Sequence, residues 1–87
     1  GPGAKPRKLS YGESRELDAL PEKIEVLEAE KASLFQLMSS PDFYKAQSDD
    51  VARKTARLSE LDAEIEIAYS RWEELEAIRE ASGRQSG

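Results

Sequence analysis

Apolar residues recur along this chain at spacings of three and four, the period of one face of an α-helix. One run passes through Ile24, Leu27, Leu34 and Met38; a longer one passes through Val51, Leu58, Leu61, Ile65, Ala68, Tyr69, Trp72, Leu75 and Ile78. Between them Ser39-Ser40-Pro41 ends the first helix, because Pro41 disfavours helical geometry at Ser40 and can open only a short further turn containing Phe43 and Tyr44. Ser48 is the expected N-cap of the second helix, with Asp49 and Asp50 in the first turn where the helix dipole favours acids, and Gly83 suits the position just past its end. Upstream, Ser10 and Glu13 form a capping box ahead of Tyr11, Leu17 and Leu20. Pro21 lacks a donor and is suited to a first helical position, so the pattern predicts a short helix near 11–19, a break or kink at Leu20-Pro21, and a new helix from there.

The last helix, roughly 34 residues at ~1.5 Å per residue, makes a rod of about 50 Å. A rod with one apolar stripe is marginal alone in water and requires a neighbour along its length. Folding back near Tyr44 supplies one: Leu17 with Trp72, Leu20 with Tyr69, Ile24 with Ile65, Lys31 with Leu58 and Met38 with Val51 all have residue numbers that sum to 89. In that register Leu27 faces Leu61 or Asp62 and Leu34 faces Thr55, leaving Lys31 and Thr55 as polar exceptions near the tip. The expected fold is all-α: an antiparallel two-helix coiled-coil hairpin with a short extra N-terminal helix, which covers the stretch around Trp72, Leu75 and Ile78. Residues 1–9 read as a flexible basic linker whose Gly1-Pro2 resembles a tag remnant, residues 10–82 as the hairpin domain, and residues 83–87 as a disordered tail.

Composition narrows the chemistry. Charged residues are 36% of the 87, and neither Cys nor His is present, which removes thiolate nucleophiles, imidazole bases and zinc sites built on them. No apolar run approaches the ~20 residues that span a bilayer, so a soluble, cytoplasmic protein with no membrane partner is the expectation; the chain is also expected to be a monomer. The glutamates Glu73, Glu74, Glu76 and Glu80 read as a solvated face, since a two-helix rod shelters no pocket for acid–base work.

The net charge of -5 would repel a polyphosphate were the charges mixed, but they are segregated. Lys5, Arg7, Lys8 and Arg15 outweigh Glu13 before residue 16, and Lys45, Arg53, Lys54 and Arg57 outweigh Asp42, Asp49 and Asp50 around the expected tip; the stem between is acidic. These eight cations are the candidate nucleic-acid-binding residues. Each cluster also has a plainer reading: the first as a soluble tether, the second as intrahelical pairs, since Asp49 and Asp50 stand four residues before Arg53 and Lys54. Among the aromatics, Trp72 falls on the seam and reads as core, whereas Tyr44 at the turn is the best placed to stack on a base.

The run Lys8-Leu9-Ser10-Tyr11, then Arg15-Glu16-Leu17, Leu20-Pro21, Ile24-Glu25 and Leu27-Glu28, resembles the opening of the C-terminal coiled-coil domain of Uup-type ABC-F ATPases. Ser40-Pro41-Asp42-Phe43-Tyr44 is similar to the loop between that domain's two long helices, and Arg71-Trp72-Glu73-Glu74-Leu75-Glu76 to its end, so the resemblance spans residues 8 to about 79. It implies a non-catalytic accessory domain of a cytoplasmic ATPase that acts on ribosomes in translation or, in the Uup branch, binds DNA. ATP and Mg would belong to the parent's other domains, because this chain has no G-x-x-x-x-G-K-[ST] phosphate loop. The implied partners are DNA or ribosomal RNA without sequence specificity, or alternatively the parent's own ATPase domains, on which the chain would act as a protein-interaction or regulatory arm.

Overall fold

The computed structural model describes residues 7–86. Two helices, α1 (Tyr11–Met38) and α2 (Ser48–Ser86), are joined by a 3₁₀ turn (Pro41–Lys45) and lie antiparallel in a rod measuring 61 × 24 × 18 Å. Lys5 and the rest of residues 1–6 lie outside the described residues, so the expected linker is observed only from Arg7 onward.

The start of α1 is the predicted capping box. Glu13 N–H donates to Ser10 Oγ (3.1 Å) and Ser10 N–H donates to Glu13 Oε1 (2.9 Å), satisfying two of the donors a helix start leaves without partners. At the other end Ser39 N–H reaches Phe35 O (3.0 Å) and Gln36 O (3.2 Å), and Ser39 Oγ also donates to Phe35 O (2.8 Å). Ser40 Oγ then accepts from Asp42 N–H (3.4 Å) and opens the 3₁₀ turn, which buries Phe43 and leaves Tyr44 outside.

Three boundaries differ from the sequence reading. The chain does not break at Leu20-Pro21: α1 is continuous through Pro21, so the short N-terminal helix is its first part. A proline inside a helix costs about 3 kcal/mol. Leu17, Leu20 and Ile24 on either side of it are all buried, each contributing about 1.5–3 kcal/mol, and together they outweigh that cost. Nor does α2 stop at Gly83; it continues to Ser86. It begins at Ser48, whose neighbour Gln47 offers its carbonyl to Asp50 N–H (3.0 Å) and Val51 N–H (3.2 Å), so the cap sits one residue before the expected one.

The register also differs. Arg71 binds Glu16 and Arg57 binds Glu30, pairs whose residue numbers sum to 87, while Tyr69 binds Glu28 at a sum of 97. Contacts that flank a seam straddle it, which places the seam at 92. The layers are then Leu17 with Leu75, Leu20 with Trp72, Ile24 with Ala68, Leu27 with Ile65, Lys31 with Leu61, Leu34 with Leu58, and Met38 with Lys54. All fourteen residues are buried or half-buried, and they follow an unbroken heptad on both helices. The expected sum of 89 is wrong by three residues, nearly one turn. Tyr69 has more apolar surface than Ala68, and Thr55 looks a better seam residue than Lys54, so pattern alone favours the wrong member of each adjacent pair. In the fold Ala68 lets the helices approach opposite Ile24, while Tyr69 leans outward and Thr55 is exposed, its hydroxyl on Val51 O (2.8 Å).

Candidate nucleic-acid interface

The structure separates the described candidate cations into Arg7, Lys8 and Arg15 at the open end and Lys45, Arg53, Lys54 and Arg57 toward the tip. At the open end Arg7 folds back on α1 and grips Glu13 with both terminal nitrogens (2.7 and 2.9 Å). That guanidinium, with the Ser10 amide, lowers the Glu13 carboxyl to about 2. Leu9 packs against the cluster of Leu17, Leu20, Ile24, Ala68 and Leu75, so the chain entering α1 is held from Arg7 onward. Lys8 is exposed and its ammonium meets no carboxylate among the described residues. Arg15 donates to Tyr11 Oη (3.2 Å) and sits 5.8 Å from the centre of that ring, one turn along the same exposed face.

At the tip the four cations differ sharply. Lys45 stands beside Asp42 (3.6 Å) with both side chains almost fully in solvent, and Arg53 pairs with Asp50 rather than with Asp49 as the four-residue spacing suggested. Such exposed pairs contribute tenths of a kcal/mol and exchange readily for another anion. Lys54 occupies a half-buried seam position opposite Met38 and meets no carboxylate among the described residues. Arg57 departs from the expectation. Its guanidinium is taken up by Glu30 across the seam (2.6 and 2.8 Å), Glu60 (3.3 Å) and Glu64 (3.1 Å), which raises its own pKa and lowers that of Glu30. Arg57 therefore ties the helices in register instead of presenting a charge. Arg71 does the same nearer the open end through Glu16 (2.8 and 2.9 Å) and Glu74 (3.1 Å), a role the linear sequence did not reveal because both partners of the first pair lie 55 residues apart.

Of the aromatics, Phe43 is buried and meets Tyr44 edge-on, with centroids 5.0 Å apart; Trp72 is half-buried against the core cluster. Tyr44 is 69% exposed and remains available for stacking. The sequence reading missed Phe35, also largely exposed, whose signal is its place just beside the seam residue Leu34 on a flank where an apolar side chain gains nothing from the hairpin. Among the described residues no group of His, Cys, Asp and Glu is arranged to hold a metal ion, and no helix is long and apolar enough to cross a membrane.

Residues 8–77 match the model of the ABC transporter C-terminal domain. The chain belongs to this family. The chain is 42% identical over 69 residues to the Uup-like ATP-binding protein of Haemophilus influenzae and 35% identical over 72 residues to ATP-binding protein Uup of Escherichia coli. Those alignments cover 79% and 83% of this chain but only 15% and 11% of the relatives, so the chain spans a small part of the proteins it matches. Its fold is also that of the C-terminal domain of the Uup protein, described as a DNA-binding coiled coil motif, with a TM-score of 0.78 and 33% identity over 83% of this chain and 85% of that one. The chain is thus a C-terminal coiled-coil domain of the Uup-type ABC-F family.

Proposed function

We propose that this domain binds nucleic acid without sequence specificity, as a non-catalytic appendage of an ATPase, with DNA the favoured ligand. The observation that carries this reading is the likeness over almost the full hairpin to a Uup C-terminal domain described as DNA-binding. The geometry supports it: Lys8 and Arg15 at the open end, and Lys45, Arg53 and Lys54 at the tip, present charges that are free or loosely held, while Arg57 and Arg71 neutralise the acidic stem from within. Lys5 joins the open-end group in this proposal, and Arg7 joins it only by releasing Glu13. ATP and Mg remain with the parent's other domains, and a cytoplasmic, monomeric domain fits the reading.

Few phosphates are engaged at once, so affinity is expected to be micromolar or weaker, with log K falling against log salt at a slope of roughly -3 to -4 for a duplex. Fluorescence anisotropy with duplex DNA, single-stranded DNA and ribosomal RNA across a salt series tests this; absence of salt-sensitive binding to all three removes it. The acidic stem, where Glu74 and Glu76 are held by Arg71 and Arg79 only in surface pairs beside Glu73, favours a second reading, a regulatory arm docking on a basic surface of the parent's ATPase domains. ATPase rates of the parent with and without this segment, in the absence of nucleic acid, separate the two.

A further inference from the structure

From Ala32 to Pro41 the chain carries no charged residue, an uncharged stretch in a sequence that is 36% charged. It forms the last turns of α1, where one flank opens into a groove against α2. Leu34 and Leu37 form its floor, with Leu37 45% exposed, and Arg53, Lys54 and Arg57 line the other side. Glu30 closes the stem end, already bound by Arg57, and Glu60 and Glu64 lie on the same guanidinium. The carboxylates on the groove are thus gathered at its stem end, apart from Asp50, which holds Arg53 in an exposed pair one turn away. Toward the tip the groove offers Lys54, half-buried with no carboxylate among the described residues, beside Arg53.

Apolar floor, cationic rim and acid stop match a ligand with a flat uncharged body and an anionic tail. Resting on the nucleic-acid reading above, we infer that this groove holds an unpaired nucleotide, its base on Leu37 and Leu34 and its phosphate between Arg53 and Lys54. In a duplex the base faces are stacked and out of reach, so a leucine floor gains nothing there; a single strand can turn a base onto it. Binding by charge alone would not distinguish the two forms in this way.

The test uses fluorescein-labelled probes of about 12 nucleotides, single-stranded and duplex, with the whole domain. The single strand is expected to bind about fivefold or more tightly than the duplex at equal salt. Leu37→Ser should abolish most of that ratio while leaving duplex affinity and the salt slope unchanged, and Lys54→Gln should weaken both probes. Phe35→Ala, on the opposite flank of α1, should leave the ratio intact. Leu37 is half exposed at the end of a helix, and circular dichroism confirms that the variant keeps its fold; the wild-type ratio stands independently of any variant. Equal affinity for both probes, an unaffected ratio in Leu37→Ser, or a ratio lost in Phe35→Ala overturns the inference and leaves the broader reading standing. So does displacement of the single strand by an acidic, leucine-containing peptide at equal concentration, which assigns the groove to a protein segment. No binding of either probe removes the nucleic-acid reading itself.

Discussion

Toward its open end the hairpin closes on Leu17, Leu20, Ile24, Ala68 and Leu75, all buried, with Leu9 and Trp72 packed over them; toward the turn the layers contain Lys31 and Lys54, and Leu34, Met38 and Leu58 are only half-buried. The first half is an apolar zipper. In the second, two lysines stand at positions a stable coiled coil fills with leucine, Lys31 paired with Asp62 (2.6 Å), and Phe35, Leu37 and Tyr44 are exposed apolar side chains of the same half. Most of the buried layers lie toward the open end, although Leu61 and Phe43 are buried toward the turn.

The largest effects should therefore come from the zipper. Leu75→Ala removes a fully buried side chain level with Leu17 and is expected to cost about 2–5 kcal/mol, enough to unfold much of so small a domain. Met38→Ala, in the half-buried layer beside Lys54, should cost clearly less. Chemical denaturation of both variants tests the contrast: equal losses would mean that the two halves share the load and that the comparison is mistaken.

Pro21→Ala comes next. It restores a backbone donor in the middle of α1 and should stabilise the domain by up to about 3 kcal/mol, provided that the helix gains the bond without shifting Leu20 or Ile24. A rise in denaturation midpoint is the expected readout. A fall would show that the proline supplies curvature which the zipper half requires to meet α2.

A smaller change sharpens the tip. Lys54→Leu completes the layer with Met38 and should stabilise by about 1 kcal/mol, while weakening nucleic-acid binding. Opposite signs for stability and binding in one variant would separate the tip's role from that of the zipper, where substitutions move both together through unfolding.

The fold was legible in the sequence because its strongest signals are local and redundant. Ser10 with Glu13, the Ser40-Pro41 stop and the apolar residues on both helices each point to the same hairpin. The register was not, because it depends on choosing between neighbours, Ala68 against Tyr69 and Lys54 against Thr55, and the more apolar choice is wrong in both cases. Sequence also showed where the cations cluster, yet not which are free: Arg57 meets Glu30 only after the chain has doubled back, 27 residues away. Free charge is a property of the folded pair, not of the residue.

The smallest expected effect concerns acid, and it acts chiefly on the open end. Glu13 is held well below the usual carboxylate range, to about 2, by Arg7 and the Ser10 amide, and Glu16 is lowered by Arg71. A carboxyl whose folded pKa lies below its unfolded value of about 4.3 stabilises the fold fully above that value, and the contribution is lost as pH falls through the folded pKa. The latch formed by Arg7, Glu13 and the capped start of α1 should therefore weaken between about pH 4.5 and 2, while the leucine layers beneath it do not titrate. Arg7 and Glu16 are exposed and Glu13 and Arg71 are only half-buried, so the change is modest and shrinks further in high salt. Glu13→Gln should lower the thermal midpoint at pH 7 and flatten its decline in acid, with fluorescence of Trp72, which packs at the same end, reporting the loosening. An identical acid profile in the variant would mean that the open end is held by Leu9 and the zipper alone, and that Arg7 is as available to a phosphate as Lys8.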